Sequence, residues 1–300
     1  MIHYPISEVD LKSKIKAIKE TWLDRAKART KVFRKAKKYN ESSNIWSEIK
    51  DVFLDIQFNK CAYCERRLGG KKYHRKEYDV EHYRPKSAVK LWPGKTQKQK
   101  RSFDYSFSLG TATNTGYYLL AYNVRNYSAS CTGCNSSLKS NYFPVGGARV
   151  LHSDDYSKLK NEEAYLLCPV GDIDDDPEDI ITFMGYLPVP KENDENKLNY
   201  KRARVTIDFF DLDTRDDLLW ERAGIIVTLW QAHDVLKNEW ASDEAKQAAQ
   251  LHIDVSISPK SPHTSCAKAY SRLCIQDWES ARKCKNFAMP LYKKLLEKNR

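Results

Sequence analysis

Two Cys-x-x-Cys knuckles, Cys61-Ala62-Tyr63-Cys64 and Cys131-Thr132-Gly133-Cys134, constrain this 300-residue chain more than any other feature. Each knuckle offers two thiolates from one tight turn, and two knuckles fill the four positions of a tetrahedral zinc ion. The stretch from Cys61 to Lys139 is therefore expected to fold as one metal-pinned unit. A closed four-thiolate site leaves no coordination position for substrate or water. Any chemistry falls to the residues the unit holds around the metal, and Glu81, His82, Asn126 and Asn135 are the candidates.

Composition narrows the setting. The longest apolar runs, Tyr117 to Tyr122 and Ala223 to Trp230, are far shorter than the roughly 20 residues that span a bilayer, and the first residues form no signal peptide. A soluble, cytoplasmic protein is expected. In that reducing setting eight cysteines do not read as a disulfide framework. Lysine and arginine exceed acids by 51 to 40, a net charge of +11 that favours a polyanionic partner such as nucleic acid.

Along the chain, Leu11 to Tyr39 has helical spacing, with Leu11, Ile15, Ile18 and Trp22 on one face and a strongly basic opposite face. That face is read as either a solvated surface or a phosphate or partner contact. Ile45 to Phe58 predicts a second amphipathic helix leading to Cys61. A turn is expected at Leu68-Gly69-Gly70, and Glu77 to Tyr83 alternates as a strand, with Tyr78, Val80 and His82 on one side. Residues 87–115 read as a long inserted loop whose Lys90, Lys95, Lys98, Lys100 and Arg101 are candidates to track a phosphate backbone, or are simply solvated. After the second knuckle a short helix is expected, with Asn135 and Lys139 on one face.

Beyond residue 150, the acidic run Asp172 to Asp179 is expected to be a solvated turn or docking loop, because it lacks the register of a calcium loop. Residues 191–199 read as a linker, 203–212 and 216–240 as helices, and 254–264 as a break. A final helical pair, or one long helix, is expected over 267–298. Cys266, Cys274 and Cys284 match no metal knuckle and are read as buried thiols.

Glu81-His82 sits where a strand should end, so its side chains can divide labour between a metal ion and a water molecule. Phosphodiester hydrolysis needs both roles: a divalent cation on the phosphate and a neutral imidazole to take the water's proton.

The order Cys-x-x-Cys, Glu81-His82-x-x-Pro85, Asn126, then Cys131-x-x-Cys134-Asn135 with Lys139 resembles the HNH endonucleases with a ββα-metal core. The resemblance implies that His82 is the general base and that Asn126 fixes the loop orienting it. It implies Glu81, where Asp is usual, and Asn135 as holders of a catalytic Mg²⁺ or Mn²⁺, beside a structural Zn²⁺. Lys139 lies near the position of a phosphate-contacting basic residue, one residue later than is usual, and Arg84 and Lys86 are further nucleic-acid contacts. Tyr63, Val80 to Lys86, Leu119 to Tyr122, Asn141 to Pro144 and Leu166 to Pro169 extend the similarity to the HNH component of Septu-type antiphage systems, also found with some retrons. Those nucleases act beside an SMC-like or ABC-type ATPase, which the resemblance implies as a partner.

The expected fold is α+β: a mostly α-helical chain around a zinc-pinned ββα-metal core. Its parts are a basic helical region (1–58), the core (59–150, with 87–115 inserted), and an acidic loop with helices for partner docking (151–300). The expected activity is metal-dependent cleavage of nucleic acid, DNA first. The alternative is a zinc-stabilised nucleic-acid-binding or ATPase-docking module without catalysis.

Overall fold

The computed structural model describes residues 1–69 and 77–298, so Gly70, the last residue of the expected turn, lies outside the described residues. The chain is a mixture of helix and small sheets, an α+β fold. Helices α1 (Glu8–Ile18) and α2 (Trp22–Ala36) replace the single helix expected over 11–39. The Ser7 hydroxyl accepts the Asp10 amide to start α1, and the chain leaves helical geometry at Lys19, where φ is −142°. Leu11, Ile15 and Trp22 are buried, but Ile18 is 48% exposed because the turn after it redirects the chain.

A 3₁₀ turn at Trp46–Ile49 leads into α3 (Lys50–Ile56). Strands β1 (Tyr78–His82) and β2 (Tyr127–Cys131) form an antiparallel pair, with Tyr78 opposite Cys131 and His82 opposite Tyr127. The far edge of β2 is closed by local groups. The Gln57 side chain both donates to and accepts from the Ala129 backbone, and the Ala62 amide donates to the Ala129 carbonyl. The first knuckle is thereby tied to the sheet through a main-chain hydrogen bond, which burial makes costly to lose.

The segment 87–115 is not the loose insertion its polar composition suggests. It carries the short helix α4 (Lys95–Lys100). Trp92 is buried against the rings of Phe103, Tyr105 and Phe209 at 5.2, 5.9 and 5.1 Å. Val89 pairs with Thr113, and the segment closes where the Tyr117 amide donates to the Pro85 carbonyl at 2.8 Å. Gly116 permits that closure, since a Cβ there would fall 1.5 Å from the Ser87 carbonyl oxygen. Arg101 is engaged by Asp208 and Asp213 at 2.6 and 2.9 Å, which removes it from the expected phosphate track. The side chains of Lys98 and Lys100 lie outside those described.

After β2 comes a π-helix (Gly133–Lys139), then α5 (Tyr156–Leu159) and α6 (Pro177–Ile180). The acidic run is a turn satisfied from within. Asp174 accepts the Cys168 amide, Arg202 pairs with Asp174 and Asp175, and Asp176 caps α6. A hairpin of β3 (Ile181–Met184) and β4 (Leu187–Pro190) follows, which the sequence reading lacked. The remaining helices are α7 (Leu198–Phe209), α8 (Asp216–Lys237), α9 (Asp243–Ile257), α10 (Thr264–Gln276) and α11 (Trp278–Lys298). Cys266 and Cys274 are fully buried free thiols, as expected, whereas Cys284 is only half-buried.

Among the described residues the buried apolar side chains form two clusters. One runs from Met1 through α1, α2, α3, the β1–β2 pair and α7 to Leu218; the other joins α8 from Ala223 onward with α9, α10 and α11. Among the described residues no helix is long and apolar enough to cross a membrane.

Candidate functional site

The four knuckle cysteines converge. Their sulfurs all lie within 4.8 Å of one another, with Cys64 and Cys131 3.9 Å apart. Tetrahedral zinc with Zn–S bonds of about 2.3 Å requires sulfurs roughly 3.8 Å apart, so the donor set fits such an ion. Backbone amides support it: the Cys131 N–H points at the Cys61 sulfur and the Cys134 N–H at the Cys131 sulfur, at 3.4 and 3.5 Å. Cys61 is buried, which opposes ionisation, yet hydrogen bonds from the other three thiols hold it well below the usual thiol range. Cys64 and Cys134 are held well above it, chiefly by hydrogen bonding with Cys131. A divalent ion would draw off the remaining protons as it binds.

Glu81 and His82 end β1, as expected, and both are nearly buried, at 4% and 7% exposure. The His82 Nε2 lies 3.1 Å from the Ala121 carbonyl oxygen. A carbonyl can only accept, so in the neutral ring Nε2 carries the proton and Nδ1 the lone pair. Trp46 and Tyr127 meet the imidazole edge-on, with ring centroids at 4.8 and 4.9 Å. Burial, with the Lys86 charge adding to it, holds His82 well below its ordinary pKa against the pull of Ala121. The ring is neutral at physiological pH.

Asn126, with no solvent exposure, fixes the loop after β1. Its Oδ1 accepts the Arg84 amide at 2.8 Å, while Nδ2 donates to the Arg84 and Leu120 carbonyls at 3.0 and 3.2 Å. It therefore ties the segment leaving His82 to the segment carrying Ala121, the imidazole's partner.

Lys139 is buried and meets Glu81 Oε1 at 3.2 Å, with its ammonium also 3.4 Å from the His82 carbonyl. Burial pushes the Glu81 carboxyl up to about 7, with Lys139 countering part of that rise. Burial likewise lowers Lys139, with Glu81 opposing. Desolvation is the larger influence on both partners, as is common for enclosed ion pairs. Lys139 ends a π turn, in which the Ser140 amide donates to the Asn135 carbonyl at 2.7 Å, an i→i+5 bond. Asn135 lies in that same turn, half-buried.

Arg84 and Lys86 part company. Arg84 is 5% exposed, pairs with buried Glu162 at 2.9 Å, and packs over Tyr83, Tyr117 and Phe143; this is an interior ion pair rather than a surface cation. Lys86 is half-buried with its ammonium 4.6 Å over the Trp46 ring, beside His82. On α2, Arg25, Arg29 and Arg34 pair with Glu48, Glu41 and Asp154, whereas Lys27, Lys31 and Lys35 are exposed.

Two contributors escaped the sequence reading. Ala121 acts through its backbone, which has no residue signature. Trp46 lies 36 positions before His82 in an unremarkable helical run, and only the packing of the 3₁₀ turn brings it to the imidazole.

With this geometry established, one comparison bears on identity. The chain is similar to the Septu protein PtuB of Bacillus mycoides strain KBAB4. The two are 29% identical over 177 residues, 59% of this chain and 50% of that protein. The chain thus spans about half the length of the curated relative it matches. No family model and no solved structure matches it.

Proposed function

We propose that this chain is a metal-dependent HNH endonuclease that hydrolyses phosphodiester bonds of nucleic acid, DNA first. We further propose that it serves as the nuclease component of a Septu-type antiphage system beside an SMC-like or ABC-type ATPase. The observation that carries the reading is the state of His82. A neutral imidazole has its Nε2 proton committed to Ala121, its orientation braced by Asn126, and a carboxylate next to it on the same strand end. Similarity to PtuB supports the defence role.

In this mechanism Nδ1 of His82 takes the proton of a water attacking phosphorus, and the Ala121 carbonyl stabilises the resulting imidazolium through Nε2–H. Glu81 and Asn135 would hold a Mg²⁺ or Mn²⁺ ion, which supplies charge neutralisation at the phosphate and the leaving oxygen. Two protein oxygens suffice for an ion of this kind, which keeps several waters. Lys139 holds Glu81 Oε1 at 3.2 Å, so an ion bound there would have to share or displace that ammonium. Lys86, half-buried with its ammonium over the Trp46 ring, is the proposed phosphate contact.

The test is plasmid nicking by the purified chain, alone and with its ATPase, in Mg²⁺ or Mn²⁺, with EDTA and His82→Ala as controls. Metal-dependent nicking that His82→Ala reduces by at least about 100-fold is the expected result. Absence of His82-dependent cleavage of DNA and RNA under both conditions overturns the reading. The burial of Glu81 and His82 favours the second reading, a zinc-stabilised binding or docking module. That reading predicts salt-sensitive nucleic-acid binding indifferent to His82→Ala and Asn126→Ala.

A further inference from the structure

The four-cysteine centre has a charged neighbour that neither knuckle supplies. Arg215, the residue preceding α8, donates from Nη1 to the Cys134 sulfur at 3.4 Å. Its Nη2 is held by Asp217 at 3.2 Å, and Asp217 also accepts Arg66 at 2.5 Å. Arg66 follows the first knuckle by two residues and reaches Glu221 at 2.7 Å; Glu221 accepts His263 Nε2 at 2.8 Å. A continuous set of charge-assisted hydrogen bonds thus runs from a cysteine sulfur to the first turns of α8 and α10.

Four thiolates around one divalent ion keep two negative charges in excess. Cys61, Cys64 and Cys134 are at most 1% exposed, so water does little to screen that excess. A guanidinium, charged at every physiological pH and directional in its donors, is the side chain suited to balance it. Hydrogen bonds to ligand atoms from outside the coordination shell also orient the ligands and tune how tightly the metal is held.

We propose that Arg215 is the outer-sphere cation of the zinc centre, and that metal loading through Cys134 and Arg215 fixes the start of α8. This rests on reading the four cysteines as zinc ligands. Arg215 touches neither Glu81 nor His82 in the hydrogen bonds described above, so its role is separable from cleavage.

The experiment measures zinc affinity of the full chain by chelator competition for wild type, Arg215→Met, Arg215→Lys and Asp217→Asn. In parallel, the sulfur-to-metal charge-transfer bands of the Co²⁺-substituted proteins are recorded. Arg215→Met is expected to weaken zinc by about 10–100-fold and to shift the charge-transfer bands, with Arg215→Lys between it and wild type. Asp217→Asn breaks the same ion-pair network while sparing the N–H···S contact, and is expected to stay within about threefold of wild type. Should Arg215→Met fail to fold, the Arg215→Lys bands decide, because a merely structural arginine leaves them unmoved. Unchanged zinc affinity and bands in Arg215→Met, or equal weakening by Asp217→Asn, overturns the proposal alone. A wild-type chain that takes up no zinc overturns the zinc reading and the proposal with it.

Discussion

If Glu81 holds the catalytic ion as proposed, a proton and a metal ion compete for its one carboxylate. Burial raises its pKa to about 7, whereas the neighbouring imidazole of His82 is held well below its ordinary value. In the proposed mechanism, metal binding therefore requires Glu81 to ionise, while His82 stays neutral across the working range. The sign follows directly. On the proposed mechanism Mn²⁺ affinity should be full above about pH 7 and fall tenfold per unit below it, with the acid limb of the rate profile set by Glu81. Raising Mn²⁺ tenfold should move that limb about one unit to lower pH, because metal and proton exclude each other. A limb that does not move with metal concentration would assign it to His82 instead. The same raised pKa has a stability consequence. Relative to an unfolded value near 4.3, Glu81 contributes stability that is present in acid and is lost as pH rises through about 7.

Among the elements, the insertion between the two strands tests packing against composition. Its Lys, Gln, Ser and Thr content reads as a solvated loop, but the alternating Phe103, Tyr105 and Phe107 are half-buried against Trp92 and Tyr165, and Trp92 packs in turn on Phe209. The closure at Gly116 should be intolerant: Gly116→Ala drives a methyl into the Ser87 carbonyl, a backbone atom that cannot turn aside. A loss of about 3 kcal/mol or more in denaturant unfolding, with zinc content retained, is expected. A change under about 1 kcal/mol would mean that the segment ends are not held as described. What was legible in sequence was whatever rests on local spacing: the knuckles, the strand ending at His82, and the amphipathic helices. What was not legible depends on distant partners. The burial of Arg84 needs Glu162, 78 residues away, and the packing of the insertion needs α7. The Asn135–Lys139 turn was read as α-helical because side-chain spacing alone does not distinguish an i→i+4 from an i→i+5 ladder.

Across the whole molecule, two apolar clusters meet along α8, which contributes Leu218 to one and Ala223 onward to the other. The contacts bridging them near the first knuckle are polar and buried. Lys60 donates to Ser261 and Thr264, Ser265 donates to Glu65, and the His263 amide donates to the Glu65 carbonyl. Such hydrogen bonds depend on the backbone turn that Cys61 and Cys64 stabilise, whereas the α8–α11 cluster is held by its own apolar packing, including Trp230 stacked on Trp278 at 5.4 Å. Polar junctions of this kind between packed units part more readily than apolar ones. If the four cysteines hold zinc as proposed, chelating it should therefore release the units unequally. Hydrogen exchange is expected to rise steeply in β1, β2, α3 and the first turns of α8 and α10. The Tyr270 and Cys274 region of α10, together with α11, should keep most of its protection. The transition should be reversed by adding Zn²⁺ under reducing conditions, since metal binding supplies folding free energy to the first unit. Uniform loss of protection through α11 would show instead that the two clusters unfold as one cooperative body, with the knuckles governing both.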